Sequence, residues 1–316
     1  MKRLFLLFIP FALPISGAGA ADNLNEFKYI NKDATFSFLG GVGYTFIRAD
    51  EIVYADGNRI SHLLWQSQMP VLTGSFRGQP VDRMTVTGRM KFGFGGNHRM
   101  ADYDWLQPYF KSYAFDDWTD RSIHDDTNLD RYINLDLAVG RDVEIDDHNV
   151  LNLHGGFKYT DIKWTATGGQ YVYSEYGFRD TTGSFPAEKG ITYEQSFPAA
   201  FLGAEWRSTV DRWSFSVLGR VGATFFAKDI DHHWKRDLLF TEEFESKPFL
   251  DSQIEVSYAV TECAGIYLSA AYEKYLRMKG DVLLEDISTG SSSYTRNGAG
   301  AGLQSFTLGG GLKVAF

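Results

Sequence analysis

The C-terminal segment of this chain admits one local geometry. Phe306, Leu308, Leu312, Val314 and Phe316 share one parity, while Ser305, Thr307, Gly309, Gly311, Lys313 and Ala315 take the other. Side chains alternate across a strand, so the segment is a strand with one apolar face and one small or polar face. The same period returns upstream. Phe36, Phe38, Val42, Tyr44 and Phe46 alternate with Ser37, Gly41, Gly43 and Thr45. Met84, Val86, Met90, Phe92 and Phe94 alternate with Thr85, Thr87, Arg89 and Lys91. Ile133 to Val139, Trp213 to Phe225 and Ile254 to Val260 repeat it, with Asp136, Arg220 and Glu255 on the polar parity. In a two-sheet soluble protein the apolar face would be the core. In a membrane barrel it faces lipid, and the charged residues sit in the lumen where they cost little.

The N-terminus points the same way. Lys2 and Arg3 precede an apolar run from Leu4 to Ile15, and Ala18-Gly19-Ala20 supplies small residues for cleavage. That pattern predicts a secretory signal peptide over residues 1–20, because the apolar part is too short to span a bilayer. The mature chain, 21–316, is expected to be one domain. It holds a single cysteine, Cys263, so no internal disulfide is available to an exported protein. A closed barrel needs none. The net charge of −9 excludes the basic surface a nucleic-acid partner requires and suits cationic ligands.

Turn chemistry is asymmetric. Asp146 to Asn149, Val210 to Arg212 and Thr261 to Cys263 are short connections. The segments around 49–60, 100–130, 175–190, 229–246 and 280–300 are long and polar. Short turns at one end and long loops at the other are the two ends of an outer-membrane barrel, and the runs count to about ten strands. The expected fold is all-β: a ten-stranded antiparallel transmembrane β-barrel with long extracellular loops. The terminal Phe316 resembles the assembly signal of such proteins.

The common catalytic motifs are absent, and Gly298 to Gly302 leads into a strand rather than a phosphate-binding helix. Two clusters gather acids and histidine where strands meet long loops: Asp102-Tyr103-Asp104-Trp105 and Asp229-Ile230-Asp231-His232-His233-Trp234. Asp102 and Asp104 share a parity, as do Asp229, Asp231 and His233. By residue type alone the clusters read as solvated acids, as a catalytic set, or as ligands for a hard or borderline metal ion. Straight alternation from Phe94 and from Phe225 puts both clusters on the lipid parity, so a bulge must intervene. Gly95-Gly96 offers one; no residue offers itself before Asp229.

At these residues the chain resembles the omptins, a family of outer-membrane proteases dependent on aspartate and histidine. The match runs in order through Glu51 to Tyr54, Gly95-Gly96-Asn97, Asp102-x-Asp104-Trp105, Trp118-Thr119-Asp120, Gly177 to Asp180, Gly183 to Pro186, Asp229-x-Asp231-x-His233 and Asn297 to Gly300. The resemblance implies a catalytic groove at the outer rim. Asp102 with Asp104 would face Asp231 with His233 there, and a water between them would be deprotonated, without metal or other cofactor. It implies cleavage beside basic residues. Glu51 and Asp229 would bind the cation before the bond, and Asp120 the residue after it. Cationic peptides or proteins are the expected substrates.

The resemblance also implies a lipopolysaccharide site on the outer wall, with lipopolysaccharide as an activator. Here the chain departs from the family. The strand Phe157-Lys158-Tyr159-Thr160-Asp161 lacks the expected arginine, Ser196 replaces another, and Lys247 matches; Lys163 is a further candidate. Two other functions fit the same barrel: a catalytically silent adhesin or invasin, and a porin, though ten strands leave little room for a channel.

Overall fold

The computed structural model describes residues 36–316, so the expected signal peptide, 1–20, lies outside the described residues. Sixteen antiparallel segments form one sheet that closes on itself. In chain order they are β1 (Phe36–Ala55), β2 (Asn58–Val81), β3 (Met84–Gly93), β4 (Asn97–Asp104), β5 (Asp120–His124), β6 (Asp126–Glu144), β7 (Asn149–Thr167) and β8 (Gln170–Tyr173). Then come β9 (Thr181–Ser184), β10 (Lys189–Val210), β11 (Trp213–Thr224), β12 (Lys228–His233), β13 (Leu238–Phe244), β14 (Pro248–Ala259), β15 (Ala264–Asp286) and β16 (Ser291–Ala315). The ring closes where β1 pairs with β16, from Ser37 opposite Ala315 to Val53 opposite Ala299. Four barrel strands are each built from two segments: β3 with β4, β5 with β6, β11 with β12, and β13 with β14. The ring therefore has ten strands, and the β8–β9 hairpin extends its edge beyond β5.

The alternating faces land as their parity predicts. Phe38, Val42, Phe92, Leu137, Phe215, Val217, Phe306, Leu308 and Leu312 all point outward and stay exposed. Exposed apolar side chains in a closed ring demand a non-aqueous solvent, and the band they form is the lipid-facing belt. Phe46, Phe94, Tyr159, Phe225, Tyr272 and Phe306 mark its upper rim, where aromatic rings favour the headgroup level. Above the rim the outward positions turn polar, with Arg48, Gln66, Gln68 and Gln304.

Three of the long polar segments, around 49–60, 229–246 and 280–300, turn out to be mostly strand. β1 and β2 run to a two-residue turn at Asp56-Gly57, and β15 and β16 meet across residues 287–290. Strands of 24, 23 and 25 residues in β2, β15 and β16 are about twice the ~9–11 residues that cross a bilayer. Their upper halves stand clear of the membrane. There both faces carry polar residues, which is why hydropathy alone reads them as loops.

Charges cross the lumen at membrane depth. Arg89 donates to Asp136 (3.0 Å) and Asp251 (2.7 Å), Arg220 donates to Asp136 (2.9 Å), and Lys158 pairs with Glu273 (2.5 Å). These residues come from six different barrel strands, and a cavity of only about 60 Å³ remains beside them. Above this network the interior is aromatic. Trp65, Trp164 and Tyr193 stack nearly parallel, with centroids 5.4–6.3 Å apart. Phe197, Phe249 and Tyr275 fill the layer between. That packed column is the floor on which the outer site rests.

Candidate active site

Both acidic clusters reach the interior through a local reversal of parity. Phe94 is exposed on the lipid face; Gly95 (φ 55°) and Gly96 (φ 100°) follow, and Met100 beyond them is buried. Any Cβ on Gly96 would lie 2.3 Å from the Gln68 carbonyl oxygen, so only glycine fits that step. The second reversal has no glycine. Phe225 faces outward, Phe226 takes φ 51° with its ring in the open, and Ala227 and Asp229 are buried. A left-handed phenylalanine is a costly conformation that nothing in its residue type announces. It supplies the bulge that the alternation requires before Asp229.

Past these steps β4 lies between β2 and β5, and β12 lies between β10 and β13. The two clusters are not sheet neighbours and approach across the mouth of the ring. His233 and Asp231 form the tightest pair, with Nε2 to Oδ2 2.6 Å. A carboxylate only accepts, so the proton of that bond sits on Nε2 and leaves Nδ1 as the acceptor. Asp102 and Asp104 are half-buried on the facing strand, and the Ser61 hydroxyl donates to Asp102 Oδ1 at 3.1 Å.

The charges respond to one another. Burial pushes the His233 pKa down, but the charge and hydrogen bond of Asp231 and the charge of Asp102 outweigh it, so the net shift is upward. Burial raises the Asp102 pKa, and His233 and Ser61 offset this only in part. Asp104 is pushed well above the usual carboxylate range, by burial first and then by the charge of Asp102. Asp104 is thus the member of its pair that takes up a proton more readily.

Glu51 and Asp229 are buried beneath the dyad. Trp65 Nε1 donates to Glu51 Oε2 at 2.9 Å, and the Tyr193 hydroxyl donates to Asp229 Oδ2 at 2.6 Å. Burial raises both pKa values, that of Asp229 to about 8. Another buried acid, Glu242, stands opposite Asp229 across the β12–β13 pairing. Sequence reasoning missed Glu242, Tyr193, Trp65 and Ser61. Leu63, Trp65 and Met69 alternate with Leu64, Gln66 and Gln68, a period that reads as ordinary strand packing.

Asp120 sits opposite Asp104 across the β4–β5 pairing, and its Oδ1 accepts the Ser174 amide at 2.9 Å. Two of the sequence stretches meet here. Arg179 stacks on Trp118 at 3.5 Å and donates from Nε to the Trp118 carbonyl at 2.9 Å, which holds the approach to Asp120 in place. Lys247 lies apart, near the belt's rim, paired with Glu245 at 3.4 Å. Asp161 and Ser196 adjoin one another at 2.6 Å, and Arg131, which sequence reasoning passed over, donates to Asp161 and to Glu194. Lys163 donates to Glu194 at 3.0 Å. Among the described residues, no three His, Cys, Asp or Glu side chains group so as to hold a metal ion.

Comparison with known proteins agrees with this architecture. The family model described as Omptin family matches residues 32–316. The plasminogen activator of Yersinia pestis is 28% identical over 308 residues, covering 96% of each chain. Protease 7 of Escherichia coli K12 is 27% identical over 297 residues, covering 91% of this chain and 90% of its own. The crystal structure of outer membrane protease OmpT from Escherichia coli superposes with a TM-score of 0.81 at 25% identity, covering 90% of this chain and 98% of that one.

Proposed function

This chain belongs to the omptin family, and from that premise we propose that it is an endopeptidase that cleaves beside basic residues with a water activated by an aspartate–histidine pair. It is an outer-membrane protease, as its family, its relatives and its belted ten-strand ring agree. The mechanism is inferred from the side chains. His233 Nδ1 takes a proton from a water held between it and Asp102, and the hydroxide attacks the peptide carbonyl carbon. Asp231 fixes the imidazole's orientation and stabilises the imidazolium that forms. His233 then returns the proton to the departing amine. Asp104, the acid of the pair that takes up a proton more readily, limits the negative charge facing the attacking oxygen. No covalent intermediate is involved.

Specificity follows from the acids under the dyad. Buried carboxylates without a counter-cation are costly, and an arginine or lysine side chain would relieve that cost by charge-assisted hydrogen bonds. Glu51 and Asp229 are assigned to the residue before the bond, and Asp120 to the residue after it. The single observation carrying this reading is the 2.6 Å His233–Asp231 bond, with Asp102 acting on the same imidazole from the opposite wall. The test is to profile cleavage of a peptide library by the refolded protein, with and without lipopolysaccharide, against Glu51→Gln and Asp229→Asn. Preferential cleavage at basic residues, weakened in both variants, is the expected result; a wild type indifferent to basic residues refutes the assignment.

A further inference from the structure

Glu242 has no part in the mechanism above, yet it is one of the most enclosed acids in the molecule. It is 2% exposed and sits opposite Asp229, itself 1% exposed. The two carboxyl groups lie within hydrogen-bonding reach of each other. One oxygen of each, Asp229 Oδ1 and Glu242 Oε2, has no other partner, and the nearby acceptors Gln195 Oε1 and Asp231 Oδ1 are also unpartnered. Two ionised carboxylates can only accept, so their contact is favourable only with a proton or a cation between them.

The surroundings narrow the choice. Glu51 on β1 and Asp231 on β12 add negative charge, and Tyr193 on β10 already donates to Asp229 Oδ2. His233 faces the pair only through Asp231. From β15 the residue opposite Glu242 is Val282, and Ala299 and Ala301 of β16 lie behind it, buried and uncharged. Among the described residues no lysine or arginine acts on either acid; burial first, then the charge of Asp231 on Asp229 and of Asp229 on Glu242, holds both above the usual carboxylate range.

We propose that Glu242 is the third acid of the cation pocket, and that Asp229 and Glu242 hold one proton between them while the pocket is empty and surrender it when a guanidinium or ammonium group enters. The inference rests on reading Glu51 and Asp229 as that pocket. The proton leaves to solvent, and the entering cation takes its place between the two oxygens. Cation binding is then coupled to pH. Below the pair's pKa, each unit of falling pH weakens binding of a basic side chain by up to about tenfold, because one proton must be expelled per cation bound.

The experiment measures binding of N-acetyl-argininamide to the refolded barrel from pH 6 to 9, by competition against a fluorogenic peptide. Calorimetry in phosphate and in Tris counts the protons released. The wild type should release close to one proton per ligand at pH 7, and its affinity should rise about tenfold per unit from pH 6 toward pH 8. Glu242→Gln should abolish the release and flatten the dependence, raising KM for basic substrates at pH 8–9 with kcat little changed. Glu242→Asp should restore part of both. His233→Ala should still release the proton, which separates this pair from the imidazole. Release that disappears in His233→Ala and persists in Glu242→Gln overturns the proposal, as does a wild type with flat affinity and no release. If N-acetyl-argininamide binds no better than N-acetyl-leucinamide at any pH, the cation pocket itself is wrong and the proposal falls with it.

Discussion

Replacing Asp231 with asparagine separates charge from geometry at the heart of the site. Asp231 Oδ2 accepts from His233 Nε2 at 2.6 Å, while Oδ1 is buried without a partner among Glu51 and Glu242. An asparagine can therefore keep its carbonyl on His233 and turn its NH₂ toward the acids, so the ring stays oriented. Only the charge is lost. A hydrogen bond to a charged group contributes ~1.5–3 kcal/mol against ~1 for a neutral one, and breaking the dyad's charge removes a stabilisation of this size from the imidazolium. The neutral bond that remains leaves a net loss of ~0.5–2 kcal/mol, so at about 1.4 kcal/mol per decade kcat should fall roughly 2- to 30-fold.

The pH profile supplies a second, opposite sign. Asp231 raises the His233 pKa, and the base must be neutral to act, so wild-type activity is lost as pH falls through a value above 6.5. In Asp231→Asn that limb should move to lower pH while the plateau drops. The assay is kcat/KM against pH with a fluorogenic dibasic peptide on refolded barrels of each form. A variant with an unchanged plateau and an unmoved limb would refute the role given to the pair.

Four further outcomes follow. His233→Ala should lower the rate by about 10²–10⁴-fold in steady-state assays of folded barrel, and EDTA should leave the wild type active; inhibition reversed by zinc would favour a metal reading. Asp229→Asn should reduce kcat/KM for arginine before the bond by up to two to three orders of magnitude, with the neutral-peptide background unchanged, as a substrate library will read directly. Phe226→Pro should abolish activity, because proline cannot take φ 51° and the parity reversal before Asp229 is lost, whereas Phe226→Gly should stay active. Arg220→Ala leaves Asp136 and Asp251 short of a counter-charge in the lumen and should cost ~3–5 kcal/mol, seen as a lower urea midpoint for barrel unfolding.

Much of this protein is written in its residues because its main rule is local. Alternation along one strand needs no knowledge of its neighbours, so Phe215, Leu308 and Leu312 could be placed on the outer face from parity alone. The clusters at Asp102 and Asp229 stood out by composition, and the need for a bulge before each followed from the same parity. Gly95-Gly96 was legible as the first bulge because glycine advertises positive φ; Phe226 was not, because its conformation is imposed by the strands around it.

What the tertiary structure decided is everything that crosses the lumen. Which inward side chains meet depends on strand number and register, and these are set only when β1 pairs with β16. Arg89 reaches Asp251, 162 residues away, and Glu242 comes to face Asp229, by closure and pairing rather than by any local signal. Glu242 looked like one more solvated acid in a polar stretch. Its burial, and so its chemistry, arises because the strands that carry the acids rise above the membrane and turn their charges onto a shared, water-poor interior.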